Sequence, residues 1–175
     1  MKQITVNDPA FAAFGRVIAG VPMEPLLAVL SRQPLPEEGM VYQPREDALH
    51  GEVYFTPWGA QLFADMPYQL GHCCGSNETA DCLVCHGGSA FVISPQPFAL
   101  LAAPRGGQGK GALRVQVPAN TLTEIYGDTL RSAPLGRDFR VLVLLPYATN
   151  TGFRPENPLD AALFARNTWR YPVVP

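Results

Sequence analysis

Tyr68-Gln69-Leu70-Gly71-His72-Cys73-Cys74-Gly75-Ser76-Asn77-Glu78-Thr79-Ala80-Asp81-Cys82-Leu83-Val84-Cys85-His86 is the stretch on which the fold turns. It reads as two short extended segments, Tyr68 to Cys74 and Asp81 to His86. The Gly75–Thr79 segment between them has the composition of a hairpin loop. A hairpin centred on Asn77-Glu78 would set Cys73 opposite Cys82, Gly71 opposite Val84 and Gln69 opposite His86. Side chains alternate across a strand, so Cys82, Val84 and His86 share one face while Cys85 takes the other. A register slip of one residue would reverse those faces.

Downstream, strand signals recur at short intervals: Ala90 to Ser94, Phe98 to Ala102, Leu113 to Val117, Thr121 to Tyr126 and Arg140 to Leu145. Short strands punctuated by turn residues predict a mainly β sandwich or barrel. Val141-Leu142-Val143-Leu144-Leu145 is apolar throughout, as a central strand covered on both faces would be. Met40 to Pro44 reads as a further extended segment. Upstream, Pro9 with Phe11, Phe14 and Val17 predicts a short helix behind an Asn7 or Asp8 cap. Leu26, Leu27 and Leu30 predict a second one over Pro22 to about Arg32. Trp58 to Asp65 predicts one or two helical turns, and Leu159 to Arg166 a last helix.

The totals agree with one domain over residues 1–175: short helices at about 8–32, a barrel at about 40–146, and a C-terminal helix at about 158–166. At 47% hydrophobic, the 175-residue chain can bury a core without staples. A net charge of −2 and the lack of any Lys/Arg cluster argue against nucleic acid and against a charged membrane surface. No apolar run approaches the roughly 20 residues of a spanning helix, and Met1–Asp8 lacks the apolar core of a signal peptide. The expected location is therefore cytoplasmic, with reduced cysteines.

All four cysteines and two of the three histidines lie between His72 and His86. Cys82-Leu83-Val84-Cys85-His86 spells a c-type haem attachment site, but its strand context and the absence of a leader oppose that reading. Four-thiolate zinc needs paired knuckles, whereas adjacent Cys73 and Cys74 on a strand face opposite ways. The remaining readings stay open: small buried thiols beside a hydrogen-bonded His86, a replacement soft-metal site of His86, Cys82 and Cys73, or a reactive thiol. Cys82 and His86 are about 13 Å apart along an extended strand, which separates that thiol from its nearest base. Gly106-Gly107-Gln108-Gly109-Lys110-Gly111 lacks Walker spacing and reads as a turn between strands. His50 has no partner at ligand spacing, and Trp58 and Trp169 read as packing or dimer anchors.

Several stretches, in order, resemble one family. They include Asp8-Pro9-Ala10-Phe11 with Phe14-Gly15-Arg16-Val17, Val41-Tyr42 with Pro44, and Met66-Pro67-Tyr68-Gln69-Leu70-Gly71 with Cys73 and Gly75. His86 with Ser89, Val117-Pro118-Ala119, Glu124-Ile125-Tyr126 with Thr129-Leu130, and Ala133-Pro134 follow. Leu145-Pro146 with Thr149-Asn150-Thr151, and Phe164-Ala165-Arg166-Asn167 with Trp169, complete the set. The chain resembles the cupin-like family catalogued as domain-of-unknown-function family 4867. The resemblance implies a cupin-like (double-stranded β-helix) barrel with short peripheral α-helices. It also implies a metal held by Glu-x-His-x-x-x-Glu and a later His. At those positions this chain has Val84, His86, Ala90 and Arg131, so the family-type metal site is largely lost. Glu124 matches the family as an acid of unassigned role, either solvent-facing or in the site. Arginine cannot serve as a neutral metal donor, but it can grip a carboxylate or phosphate.

The leading expectation is a small-molecule-binding barrel, carbohydrate- or organic-acid-related. Its pocket would draw on Gln69, Cys73, Cys82, His86, Glu124 and Arg131. One alternative is a metal-dependent isomerase or lyase of a sugar or sugar acid, with Zn, Fe, Ni or Mn on His86 and Cys or Glu ligands. Another is a thiol redox or structural-zinc protein. Whether the chain is an enzyme, and whether it forms a homodimer, stay open at this point.

Overall fold

The structure, a computed structural model, describes residues 1–43, 61–64, 66, 68–146 and 169–173. The strands are β1 (Gln3–Thr5), β2 (Gly15–Val17), β3 (Met40–Gln43), β4 (Tyr68–Asn77), β5 (Cys82–Cys85) and β6 (Ala90–Ile93). Then come β7 (Phe98–Pro104), β8 (Leu113–Val117), β9 (Thr123–Ile125), β10 (Thr129–Arg131), β11 (Gly136–Pro146) and β12 (Trp169–Pro172). They form two six-stranded sheets, in the orders β1-β8-β7-β10-β5-β12 and β2-β9-β6-β11-β4-β3. From β4 onward, successive strands alternate between the sheets, except where β7 and β8 pair as neighbours. This winding of one chain back and forth between two facing sheets is that of a double-stranded β-helix, so the fold is mainly β and cupin-like.

Alternation explains how the layers fill. Cys73, Ala90, Leu100, Ala102, Val141 and Val143 point between the sheets and form the inner core. Leu70, Phe91, Leu142 and Leu144 point outward and are covered by α1 (Glu24–Leu30) through Leu26 and Leu30. On the other sheet, Leu83, Cys85, Leu101 and Leu130 form a third, outer cluster. Strand β11 thus contributes to two clusters, which accounts for the unbroken apolar run at 141–145. Among the described residues no helix is long and apolar enough to cross a membrane.

The hairpin expected between Tyr68–Cys74 and Asp81–His86 does not form. Strand β4 pairs with β3 and β11, whereas β5 pairs with β10 and β12 in the opposite sheet. Residues 78–81 are an arch that carries the chain across the barrel. Asn77 Nδ2 donates to the Pro134 carbonyl at 2.9 Å, and Arg137 Nη2 donates to Glu78 Oε1 at 2.7 Å, tying the arch down. The registers Gly71–Val84 and Gln69–His86 therefore fail: Gly71 faces Val143, and Gln69 faces Leu145.

The first helix is a 3₁₀ helix, Pro9–Ala13, capped by Asp8, whose carboxylate accepts from the Ala10 N–H at 2.8 Å. Val17 belongs to β2 and not to that helix, and β1, β2 and β12 carry the sheets beyond the expected 40–146 span. Residues 105–111 are the turn linking β7 to β8. The predicted helix at 158–166, most of that at Trp58 to Asp65, and His50 lie outside the described residues.

Candidate functional site

Inward-facing side chains of both sheets leave a cavity of about 220 Å³ between β5 and β10 on one side and β3, β4 and β11 on the other. From β5, Cys82 and Val84 line it, and His86 follows immediately after the strand. Strand β10 places Arg131 directly beside Val84 and, on its other flank, beside Ala102. Neighbours in register point to the same face, so the guanidinium enters the cavity next to two short side chains. From the facing sheet come Met40 and Tyr42, Cys73, and Val143 with Leu145. Ser132, Ala133 and Pro134 close one end.

The site is electrostatically unbalanced. Arg131 is 6% exposed, and its Nη1 has no hydrogen-bond partner. No carboxylate among the described residues pairs with it. Burial pushes its pKa down, while Tyr42, Cys85 and Cys73 push it back up. Arginine starts so high that the group stays charged near neutral pH. His86, 2% exposed, is pulled down to about 3, first by burial and then by the Arg131 charge. Its imidazole is therefore neutral, and its Nδ1 also lacks a partner. The Cys73 thiol is pushed up to about 12, mainly by burial and next by Cys74. Burial also raises Cys85. These two are protonated thiols, and all four cysteines are unbridged.

This donor set does not fit a divalent cation. Among the described residues, no three His, Cys, Asp or Glu side chains converge. Metal ligation needs Cys73 as a thiolate, and burial raises the cost of losing that proton. The Arg131 charge that depresses His86 opposes a divalent cation at the same place. The family-type positions nevertheless lie together: Val84, His86 and Arg131 line the cavity, and Ala90 sits in the inner core.

Two of the anticipated pocket residues stand elsewhere. Glu124 lies on the outer face of β9, because Thr123 and Ile125 take the inner one. It is neither on the wall of the cavity between the sheets nor solvent-facing: it is 8% exposed, accepts from Arg16 Nε at 2.7 Å and from Ser89 Oγ at 2.7 Å, and pins β2 to the sheet. Gln69 shares the inward parity of Cys73 on β4 but is not part of the cavity wall. Tyr42, Met40, Ser132, Val143 and Leu145 went unmarked as site residues in the sequence. Only the Val41-Tyr42 and Leu145-Pro146 matches to the family pointed toward any of them.

A cupin-like barrel with a cavity between its sheets, largely apolar but holding a buried arginine and histidine, is the class that fold and site define. The chain belongs to the family described as Domain of unknown function (DUF4867), whose model matches residues 3–171. No curated protein matches it. Among solved structures it is similar to a variant of the salicylate 1,2-dioxygenase from Pseudoaminobacter salicylatoxidans in complex with gentisate. That match has 10% identity and a TM-score of 0.44, and covers 87% of this chain and 34% of that one. Adducts of the same dioxygenase with gentisate give 10% identity, a TM-score of 0.44, and coverage of 86% and 33%. The polyketide cyclase RemF from Streptomyces resistomycificus gives 10% identity, a TM-score of 0.27, and coverage of 78% and 88%. The chain thus spans about a third of the length of the dioxygenase chains.

Proposed function

We propose that this protein is a binding barrel for a small organic anion, with Arg131 gripping the ligand's carboxylate. The observation that carries this reading is the buried guanidinium with an unpartnered Nη1 on the wall of a cavity. A buried charge is costly unless it is paired and hydrogen-bonded. The planar fork of arginine matches a carboxylate with two parallel hydrogen bonds. The neutral His86 adds a hydrogen-bonding nitrogen without a competing charge. A cavity of about 220 Å³, below the usual range for drug-sized ligands, suits only a small metabolite. This reading requires no metal.

Calorimetric titration of the wild type and of Arg131→Gln with lactate, and with lactamide as the uncharged analogue, tests it. Lactate is expected to bind the wild type and lactamide not. Arg131→Gln is expected to weaken lactate by about 30-fold or more, the usual effect of removing one partner of a buried charge pair. Equal lactate affinity in the two proteins would overturn the assignment.

A further inference from the structure

The walls of the cavity say what kind of anion it takes. We infer that the ligand is a monocarboxylate with an apolar body, its head on Arg131 and its hydrocarbon part between the two sheets. This rests on the anion reading above and narrows it, excluding the polyhydroxylated sugar acids which that reading admits.

Opposite the guanidinium the wall is mostly hydrocarbon: Val143 and Leu145 from β11 and Met40 from β3, interrupted by Tyr42 and Cys73, with Val84 and Cys82 on the Arg131 side and Ala133 and Pro134 also on the wall. The polar groups on the wall are mostly engaged. Ser132 Oγ accepts from the Leu101 N–H at 2.9 Å and donates to the Ala133 carbonyl at 2.7 Å, so its one proton and one of its two lone pairs are taken within the protein. Cys73 is buried, and a thiol is a weak hydrogen-bonder in any case. Tyr42 and Cys82, also on the wall, have interactions within the protein, whereas Arg131 Nη1 and His86 Nδ1 lack hydrogen-bond partners. Those two can hold one carboxylate head. The hydroxyls of a sugar acid would press against Val84, Val143 and Leu145 with nothing to bond, and a polar group stranded in this way costs about fivefold or more in affinity. A hydrocarbon body loses nothing there and gains from leaving water.

The test is a homologous series. Dissociation constants of acetate, propanoate, butanoate and pentanoate, and of gluconate, are measured on the wild type by ligand-observed NMR. Each added methylene is expected to tighten binding about fourfold until the cavity is filled. Gluconate is expected to bind at least about tenfold more weakly than pentanoate. A flat series, or gluconate as tight as pentanoate, would overturn the apolar-body inference and leave the anion reading standing. If no carboxylate binds the wild type, or if Arg131→Gln binds the series unchanged, the anion reading falls and takes this inference with it. Val143→Thr supplies a second check, since it keeps shape while adding a hydroxyl to the wall. It is expected to weaken butanoate about fivefold and leave acetate unchanged. A Val143→Thr protein that binds butanoate as the wild type does would remove β11 from the wall of the site.

Discussion

At the residue scale, the cavity concentrates its chemistry in a cation beside an imidazole that cannot share it. His86 is buried next to Arg131 and is pulled down to about 3, against an ordinary histidine value near 6.5. The sign of the linked stability follows. Between those two values the unfolded chain holds a proton that the folded chain does not, so stability rises with pH across the window and is lost as pH falls through it. His86→Gln removes that proton. In urea unfolding at pH 7, 6, 5 and 4, the variant is expected to lose less stability than the wild type on acidification. The difference in slope should reach at most about 1.4 kcal/mol per pH unit. Parallel slopes would show that His86 is not buried as described. The lone arginine was legible in the sequence as a departure from the family pattern, but its direction was not. Strand β10 is only Thr129–Arg131 and is buried on both faces, so it has no polar-apolar alternation to read. Glu124 was misplaced for the same reason, since β9 is also buried at every position.

At the scale of elements, the parity of β5 was readable and its partner was not. Period-two alternation depends only on the strand, and it puts Cys82 and Val84 on one face. Pairing depends on what the connection does, and Gly75-Ser76-Asn77-Glu78-Thr79 has the same composition whether it closes a hairpin or spans two sheets. The conformation of Gly75 helps decide the outcome. Gly75 has φ +128, and a Cβ there would fall on the Gly39 carbonyl oxygen and the Met40 Cα. That close approach seats β3, with Met40 and Tyr42, alongside β4 at the cavity. Gly75→Ala combines a forbidden φ with overpacking and is expected to cost about 2–4 kcal/mol of unfolding free energy in urea. It should also loosen ligand binding, because two lining residues move with β3. A loss below about 0.5 kcal/mol would mean that β3 is not held at this point.

At the scale of the whole molecule, the barrel was legible because its long strands carry strong patterns. The strands that complete the sheets were not, because β1 and β2 span three residues each and β12 four, too few to establish a period. The layered core is what allows this fold to tolerate a charge inside it. One apolar cluster lies between the sheets and two cover their outer faces, and the guanidinium stands on the wall of the gap that the inner one leaves. A protein whose only task was to fold would fill that gap with hydrocarbon. Arg131→Met keeps most of the side chain's length and removes the charge. It is expected to raise unfolding free energy by about 1–3 kcal/mol in the absence of ligand, as replacement of buried charges by apolar groups often does. The gain in stability should come with a loss of function. At a ligand concentration of 100 Kd, the wild type is expected to gain about 2.7 kcal/mol from binding, while the variant, binding about 30-fold or more weakly, gains at most about 0.9 kcal/mol at the same concentration. The wild type should thus overtake its more stable variant as butanoate is added, and the crossing would be seen in thermal melts over a butanoate titration. If Arg131→Met is less stable than the wild type without ligand, the guanidinium is already paired within the protein, and the cavity is not waiting for an anion.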